Sequence, residues 1–173
     1  MPADERQALE NDFMEAVPDA DVLESLSPEQ LAQVEEDVLA AAALVMQDKS
    51  MDDEMPVAAA EWVQVAAGEF VDADSFHLGE GTAVIFQQND ERVLRFEEFS
   101  VTNGPDLHVI LTKHPAPASR SDVGEDYIDL GAIKGNIGNQ NYEIPADVDL
   151  SDYQSVVIYC VPFHVVFSTA TLN

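Results

Sequence analysis

The spacing of apolar residues changes partway along this chain, and that change constrains its fold more than any other feature. From Glu61 onward, apolar residues recur at every second position, the period of β strands. The candidate strands are Trp62–Ala67, Thr82–Gln88, Arg92–Val101, Leu107–Thr112, Tyr127–Ile133, Ser155–Cys160 and His164–Thr169. Turn residues such as Asn89-Asp90 and Asn103-Gly104-Pro105 separate them. Many short strands with turns between them predict an antiparallel β-sandwich or barrel.

The first 60 residues instead favour one or two α-helices. One is expected at about Ala3–Ala16 and a second from Pro28 to about Gln47. Ser27 is a good N-cap for the second helix, and Gln30 completes a capping box. Asp48–Pro56 is expected to be a linker. We therefore predict an acidic helical segment with a linker over residues 1–60 and a β domain over residues 61–173.

The second predicted helix carries an apolar stripe of Leu31, Val34, Val38, Leu39 and Val45. Such a stripe is usually a packing face. It can pack on the β domain of the same chain, which we favour. Self-association through the N-terminal helices is the alternative.

The chain is strongly acidic, with 34 Asp and Glu against 7 Lys and Arg and a formal net charge of −27. Residues 1–60 hold 16 of the acidic residues and only two basic ones, Arg6 and Lys49. Nucleic acids and anionic membrane surfaces are therefore unfavourable partners, because both require a cationic face. Cations and basic proteins are the partners that the charge allows, but we favour adaptation of the surface to salt, or solubility through self-repulsion, as the reason for the charge.

Oxygen-rich segments offer candidate calcium ligands. Asp147, Asp149 and Asp152 are spaced like part of a calcium loop, although the late Glu and central Gly of such loops are missing. Asp72 and Asp74 form a smaller acidic pair. Turn and cap roles account for the same residues.

The glycine-rich segment from Leu130 to Pro145 reads LGAIKGNIGNQNYEIP. Its spacing does not match a phosphate-binding loop, and we expect a structural loop. No nucleophile elbow and no HExxH zinc motif occur in the sequence, which gives a hydrolase no support.

Cys160 is the only cysteine, so neither an intramolecular disulfide nor a cysteine-rich zinc site can form. It lies in an apolar run, where alternation places it on one face with Val156 and Ile158. We therefore expect a buried thiol. A redox role would require Cys160 to be accessible or to border a cavity, with His77 or His164 close to it.

Several motifs, taken in order, resemble the DM-thirteen domain, a proposed electron-transfer domain that often accompanies DOMON domains. They are Gly68 and Phe70, His77 with Gly79 and Gly81, VLRFEEF (93–99), NGPDL (103–107), LGAIKGNIGNQNYEIP (130–145), VVIYC (156–160) and the terminal VVFSTATL. Two positions depart from the family's pattern: Tyr159 stands where Trp is usual, and Ser168 where Gly is common.

The resemblance implies a β-sandwich, a secreted or membrane-anchored location, and electron transfer through Cys160 as a thiol or as the ligand of a prosthetic group such as haem. It implies a redox partner or cell-surface proteins as partners. The alternative is a non-catalytic binding or assembly module of a cell surface or matrix, with an acidic surface that attracts cations.

Overall fold

The computed structural model describes residues 1–58 and 60–173. Its helices are α1 (Ala3–Ala16), α2 (Ala20–Glu24), α3 (Pro28–Val45) and α4 (Arg120–Val123). The predicted capping box of α3 is present, because the Ser27 side chain accepts a hydrogen bond from the Gln30 amide and the Gln30 side chain accepts one from the Ser27 amide. This local device starts α3 at the residue that the sequence predicts.

The strands are β1 (Ser50–Asp52), β2 (Val63–Asp72), β3 (Gly79–Gln88), β4 (Glu91–Val101), β5 (Leu107–Thr112), β6 (Ile128–Ala132), β7 (Ile137–Ile144), β8 (Ser155–Cys160) and β9 (Val165–Thr171). They form one curled sheet in the order β1-β7-β4-β3-β2-β9-β8-β5-β6. Every pairing is antiparallel except β1 with β7. The prediction of a mainly antiparallel β fold preceded by helices is confirmed.

Strand β2 joins the two halves of the sheet. Its first part pairs with β3 and its last residues, Phe70–Asp72, pair with β9. Apolar side chains from both halves meet in one core, with Leu94 and Phe96 on one side and Val109, Ile158 and Phe167 on the other. The sheet therefore folds over itself in the manner of a sandwich.

The N-terminal helices cover this same core. Leu23 of α2 is 2% exposed and belongs to the core cluster, and Leu31, Val34, Val38 and Leu39 of α3 pack against it. The apolar stripe of α3 thus lies on the β domain of its own chain. The division of the chain at residue 60 stays a prediction.

Two segments differ from the sequence-based expectation. The segment predicted as a glycine-rich structural loop contains the whole of β7, an internal strand between β1 and β4, whereas β6 lies within the predicted strand Tyr127–Ile133. The alternation expected of a strand is absent from β7 because its polar side chains form hydrogen bonds to the segment around β1. The Asn141 side chain, for example, donates to the Glu54 carbonyl at 2.7 Å. The predicted linker likewise contains β1, which is too short at three residues to show a period.

Candidate functional site

Cys160 ends β8 and lies opposite Leu107 of β5 and Val165 of β9. It is 0% exposed and shares the main core cluster with Val156 and Ile158, so the expected burial and face are confirmed. Its Sγ donates to the Pro105 carbonyl at 3.1 Å. The pKa of the thiol is raised from 9.0 to about 12, mainly by burial and to a smaller extent by the charges of Asp106 and Glu35. The thiol is therefore neutral and sealed at physiological pH.

His164 does not come to this thiol. Its Nδ1 lies 3.2 Å from the Tyr159 hydroxyl, and Tyr159 belongs to a second apolar cluster. Since consecutive residues of a strand point to opposite faces, His164 is on the other side of β8 from Cys160. Burial lowers the pKa of His164, with the charge of Arg120 acting in the same direction.

His77 lies in the turn between β2 and β3 and is only 8% exposed. Its Nδ1 is 2.6 Å from Oδ2 of Asp74, while Oδ1 of Asp74 accepts from the backbone amides of Phe76 and His77. Burial opposes ionisation of Asp74, but these hydrogen bonds outweigh it and the pKa of Asp74 is lowered. Because Asp74 is then a carboxylate, Nδ1 carries a proton, and in the neutral form of the ring Nε2 is a hydrogen-bond acceptor.

Nε2 of His77 has no hydrogen-bond partner within residues 1–58 and 60–173. Nε2 is also in contact with solvent. In that part of the chain, Oγ1 of Thr169 is the only side-chain polar atom that is both shielded from solvent and without a hydrogen-bond partner. The ring packs on Phe167, with ring centroids 4.3 Å apart. This Asp74–His77 pair thus presents a single free nitrogen of fixed tautomer.

The pair faces a cleft of about 530 Å³ between α3 and the β domain, which we call the α3 cleft. One wall is the face of α3 that contains Ala32, Glu35, Glu36, Leu39, Ala40 and Ala43; the other contains Asp74, Phe76, His77, Thr102, Asn103 and Phe167. The small side chains of the alanines on the helix wall leave space between the two walls. Burial raises the pKa of Glu35, an interaction with the protonated form of His77 opposes that shift, and the charge of Asp74 adds to it.

The structure separates the residues that the sequence singles out. His77 lines the α3 cleft, whereas Cys160 lies in the core and does not line it, and His164 is elsewhere. Sequence reasoning missed Glu35, Phe76 and Phe167 as cleft residues. The spacing of Asp74 and His77, three residues apart in a turn, is the one local signal that could have indicated their hydrogen bond.

The candidate calcium ligands occupy a turn. Oδ1 of Asp149 accepts from the amide and the hydroxyl of Ser151, and it caps the one-turn 3-10 helix Leu150–Asp152. These hydrogen bonds lower the pKa of Asp149. Among the residues that the structure describes, no three His, Cys, Asp or Glu side chains are grouped to hold a metal ion. A calcium site at Asp147, Asp149 and Asp152 therefore stays a prediction.

Haem, which the family resemblance implies, fits this site in only one respect. Nε2 of His77 is a suitable axial donor, since a carboxylate holds the opposite ring nitrogen. The ionisable residues of the cleft lining other than His77 are the carboxylates Glu35, Glu36 and Asp74, with no Lys or Arg to pair with the carboxylates of haem. Cys160 is not among the residues that line the α3 cleft. The lining of the α3 cleft therefore does not fit haem.

Comparison with known proteins identifies a family. The sequence model of a family described as "Electron transfer DM13" matches residues 69–172, from the end of β2 to the end of β9. No curated protein and no solved structure matches the chain. The matched region contains Asp74, His77, Cys160 and Phe167 but not α3. None of the helices in the described residues is long and apolar enough to cross a membrane.

Proposed function

Because this chain belongs to the electron transfer DM13 family, we propose that it is an extracytoplasmic electron-transfer module whose redox chemistry takes place in the α3 cleft beside His77. The main observation in support is that Nε2 of His77 is reachable from solvent, although the rest of the side chain is buried and hydrogen-bonded to Asp74. Small organic redox molecules exchange protons together with electrons. An imidazole of fixed tautomer is suited to take up such a proton.

The other version of this function places the redox step at Cys160, as the family resemblance implies. Two features oppose it in the folded chain: the thiol is 0% exposed, and burial raises its pKa to about 12. A thiol reacts as the thiolate, and less than about one thiol in a thousand would be ionised at neutral pH. In this version the residues that bury Cys160 must move apart before any electron transfer.

An electron-exchange assay distinguishes the two versions. Hydroquinone is mixed with ferricyanide in salt that screens the acidic surface, and ferricyanide absorbance is followed with and without the full chain. Electrons pass from hydroquinone to ferricyanide, and the hydroxyl protons pass to Nε2 of His77 and then to solvent. We expect the chain to accelerate the reaction, His77→Ala to abolish the acceleration, and the matched variant His164→Ala to retain it.

The same assay with Cys160→Ala completes the test. Retained acceleration supports the α3 cleft. If Cys160→Ala abolishes the acceleration while His77→Ala keeps it, the redox step belongs to Cys160 and the cleft proposal is wrong. If the chain never accelerates the exchange, the second candidate, a non-catalytic binding or assembly module, replaces both. The formal charge of −27 is the observation that favours that candidate.

The extracytoplasmic location is also a proposal, and it rests on the resemblance to commonly secreted or membrane-anchored proteins. A sealed thiol of raised pKa is compatible with an oxidising compartment, because it resists oxidation and disulfide exchange. Fractionation of cells that express the natural gene would check the location, and recovery in the cytosol would reject it.

A further inference from the structure

The electrostatics of the α3 cleft indicate what kind of molecule it accepts. Glu35 and Glu36 of α3 and Asp74 of the β2–β3 turn bring carboxylates to both walls. No Lys or Arg lies among the lining residues. A carboxylate at each wall repels an anionic occupant and attracts a cationic one.

The remaining lining supplies apolar and aromatic surface. Phe76 is 79% exposed at the edge of the cleft, and Phe167 lies beneath the His77 ring. The ring of Phe76 is therefore open to a bound molecule at the edge of the cleft. Aromatic faces bind flat rings and also attract cations.

His77 supplies a third and independent observation. It is more than nine-tenths buried, yet its Nε2 has no partner within residues 1–58 and 60–173. The ring is fixed by Asp74 while Nε2 stays open toward the cleft, so Nε2 is available to a donor from a bound molecule. With Nδ1 protonated toward Asp74, Nε2 accepts a hydrogen bond from an N–H or O–H group.

From these features we infer that the α3 cleft binds a small aromatic organic cation, with its ring near Phe76 and its N–H donors toward His77 and the carboxylates. The inference deepens the proposed function, on which it rests for the identity of the site, by naming the class of molecule that the redox site takes. It also assigns α3, which lies outside the family match, the role of supplying charge selectivity through Glu35 and Glu36.

Redox-inert probes test the inference separately from electron transfer. Phenethylammonium, phenethyl alcohol and phenylacetate share an aromatic body and differ in charge. Their binding to the full chain is measured by calorimetry at fixed ionic strength. We expect saturable binding of the ammonium at one site, about tenfold weaker binding of the alcohol, and no binding of the anion.

Charge-matched variants of α3 locate the site. The double variant Glu35→Gln, Glu36→Gln should weaken ammonium binding by about tenfold or more, since a carboxylate pair at one wall is lost. The control Glu29→Gln, Asp37→Asn removes the same charge from the same helix outside the cleft and should leave binding unchanged. Phe76→Ser, at a largely exposed position that folding does not need, should also weaken binding.

Two results would overturn the inference. Equal weakening by the cleft and control variants would identify general attraction of cations to an acidic surface. Equal binding of the ammonium and the alcohol would remove the charge selectivity. Neither result changes the outcome expected in the electron-exchange assay, because that assay uses neutral hydroquinone. Conversely, selective ammonium binding without electron exchange would reject the proposed function alone.

Discussion

At the scale of single residues, the two candidate redox groups differ in how their surroundings treat a proton. Asp74 holds the Nδ1 proton of His77 and leaves Nε2 free to exchange another with solvent. The surroundings of Cys160 do the opposite, because burial disfavours the thiolate and the carbonyl of Pro105 accepts the S–H. This contrast is the physical reason why the cleft rather than the cysteine is proposed as the site.

The raised pKa of Cys160 predicts a specific loss of stability at alkaline pH. The thiol ionises near pH 9 in the unfolded chain and near pH 12 in the folded one, so the unfolded state binds fewer protons between these values. The free energy of unfolding should therefore fall as pH rises above about 9, by at most about 1.4 kcal/mol per pH unit from this group.

Urea unfolding of the natural chain and of Cys160→Ala between about pH 8 and 10 measures this loss. The variant should be less stable near neutral pH by about 1–2 kcal/mol because a buried side chain is truncated, and its stability should fall less steeply with pH. Tyr142 and Tyr159 have pKa values raised by burial to about 12 and add their own loss in both proteins at higher pH. Identical slopes in the two proteins would contradict the prediction.

At the scale of elements, the short strand β1 is held to β7 by side chains and by one glycine. Asn139 and Asn141 donate to Asp52 and Glu54, and the Asp53 amide donates to the Asn139 carbonyl at 2.9 Å. Gly138 has φ +93°, and a Cβ there would overlap the backbone of Met51. A side chain at position 138 is therefore incompatible with the observed approach of β1.

Gly131 provides a matched control for this position. Its φ is +104°, but a Cβ added there meets no atom within 4 Å. Both Gly→Ala variants should lose about 1–3 kcal/mol from backbone strain. Gly138→Ala should lose more, and hydrogen exchange of the Asp53 amide should accelerate in that variant only. Equal losses and unchanged exchange would mean that β1 does not depend on Gly138.

Sequence patterns predict the elements well where a local signal exists. Strands Leu107–Thr112 and Ser155–Cys160 and helix Ala3–Ala16 have the predicted bounds, and Ser27 caps α3 as expected. The patterns fail for β7, whose polar residues are used for hydrogen bonds to β1 rather than for alternation. They also fail for α2 and β1, which are too short to show a period.

At the scale of the whole molecule, the net charge of −27 dominates the electrostatics. Ion pairs join only a few of the 34 acidic residues to basic ones in the described chain, and the acidic side chain is exposed in most of these pairs, as in Lys113 with Asp126. Exposed pairs contribute little, so repulsion among the remaining carboxylates is uncompensated. The folded chain should be sensitive to the ions that screen this repulsion.

We expect the melting temperature to rise between low and molar NaCl, because salt screens the carboxylates of the compact state. Calcium should add a further increment over magnesium at equal ionic strength only if Asp147, Asp149 and Asp152 form a specific site. Calorimetry of the natural chain and of Asp147→Asn, Asp152→Asn measures both effects. A melting temperature independent of NaCl would contradict the first expectation, and equal effects of the two cations would reject the calcium site.

The sequence by itself determined the β architecture, the start of α3, the burial of Cys160 and the family. Each of these depends on the order of neighbouring residues: a period of two, a capping box, an apolar strand, or motifs in a fixed succession. Only the tertiary structure decided where the helices lie. Glu35 and His77 are far apart along the chain, and no local pattern relates them. They meet because α3 buries its apolar stripe on the folded-over sheet, which places a wall of small and acidic residues opposite the β2–β3 turn.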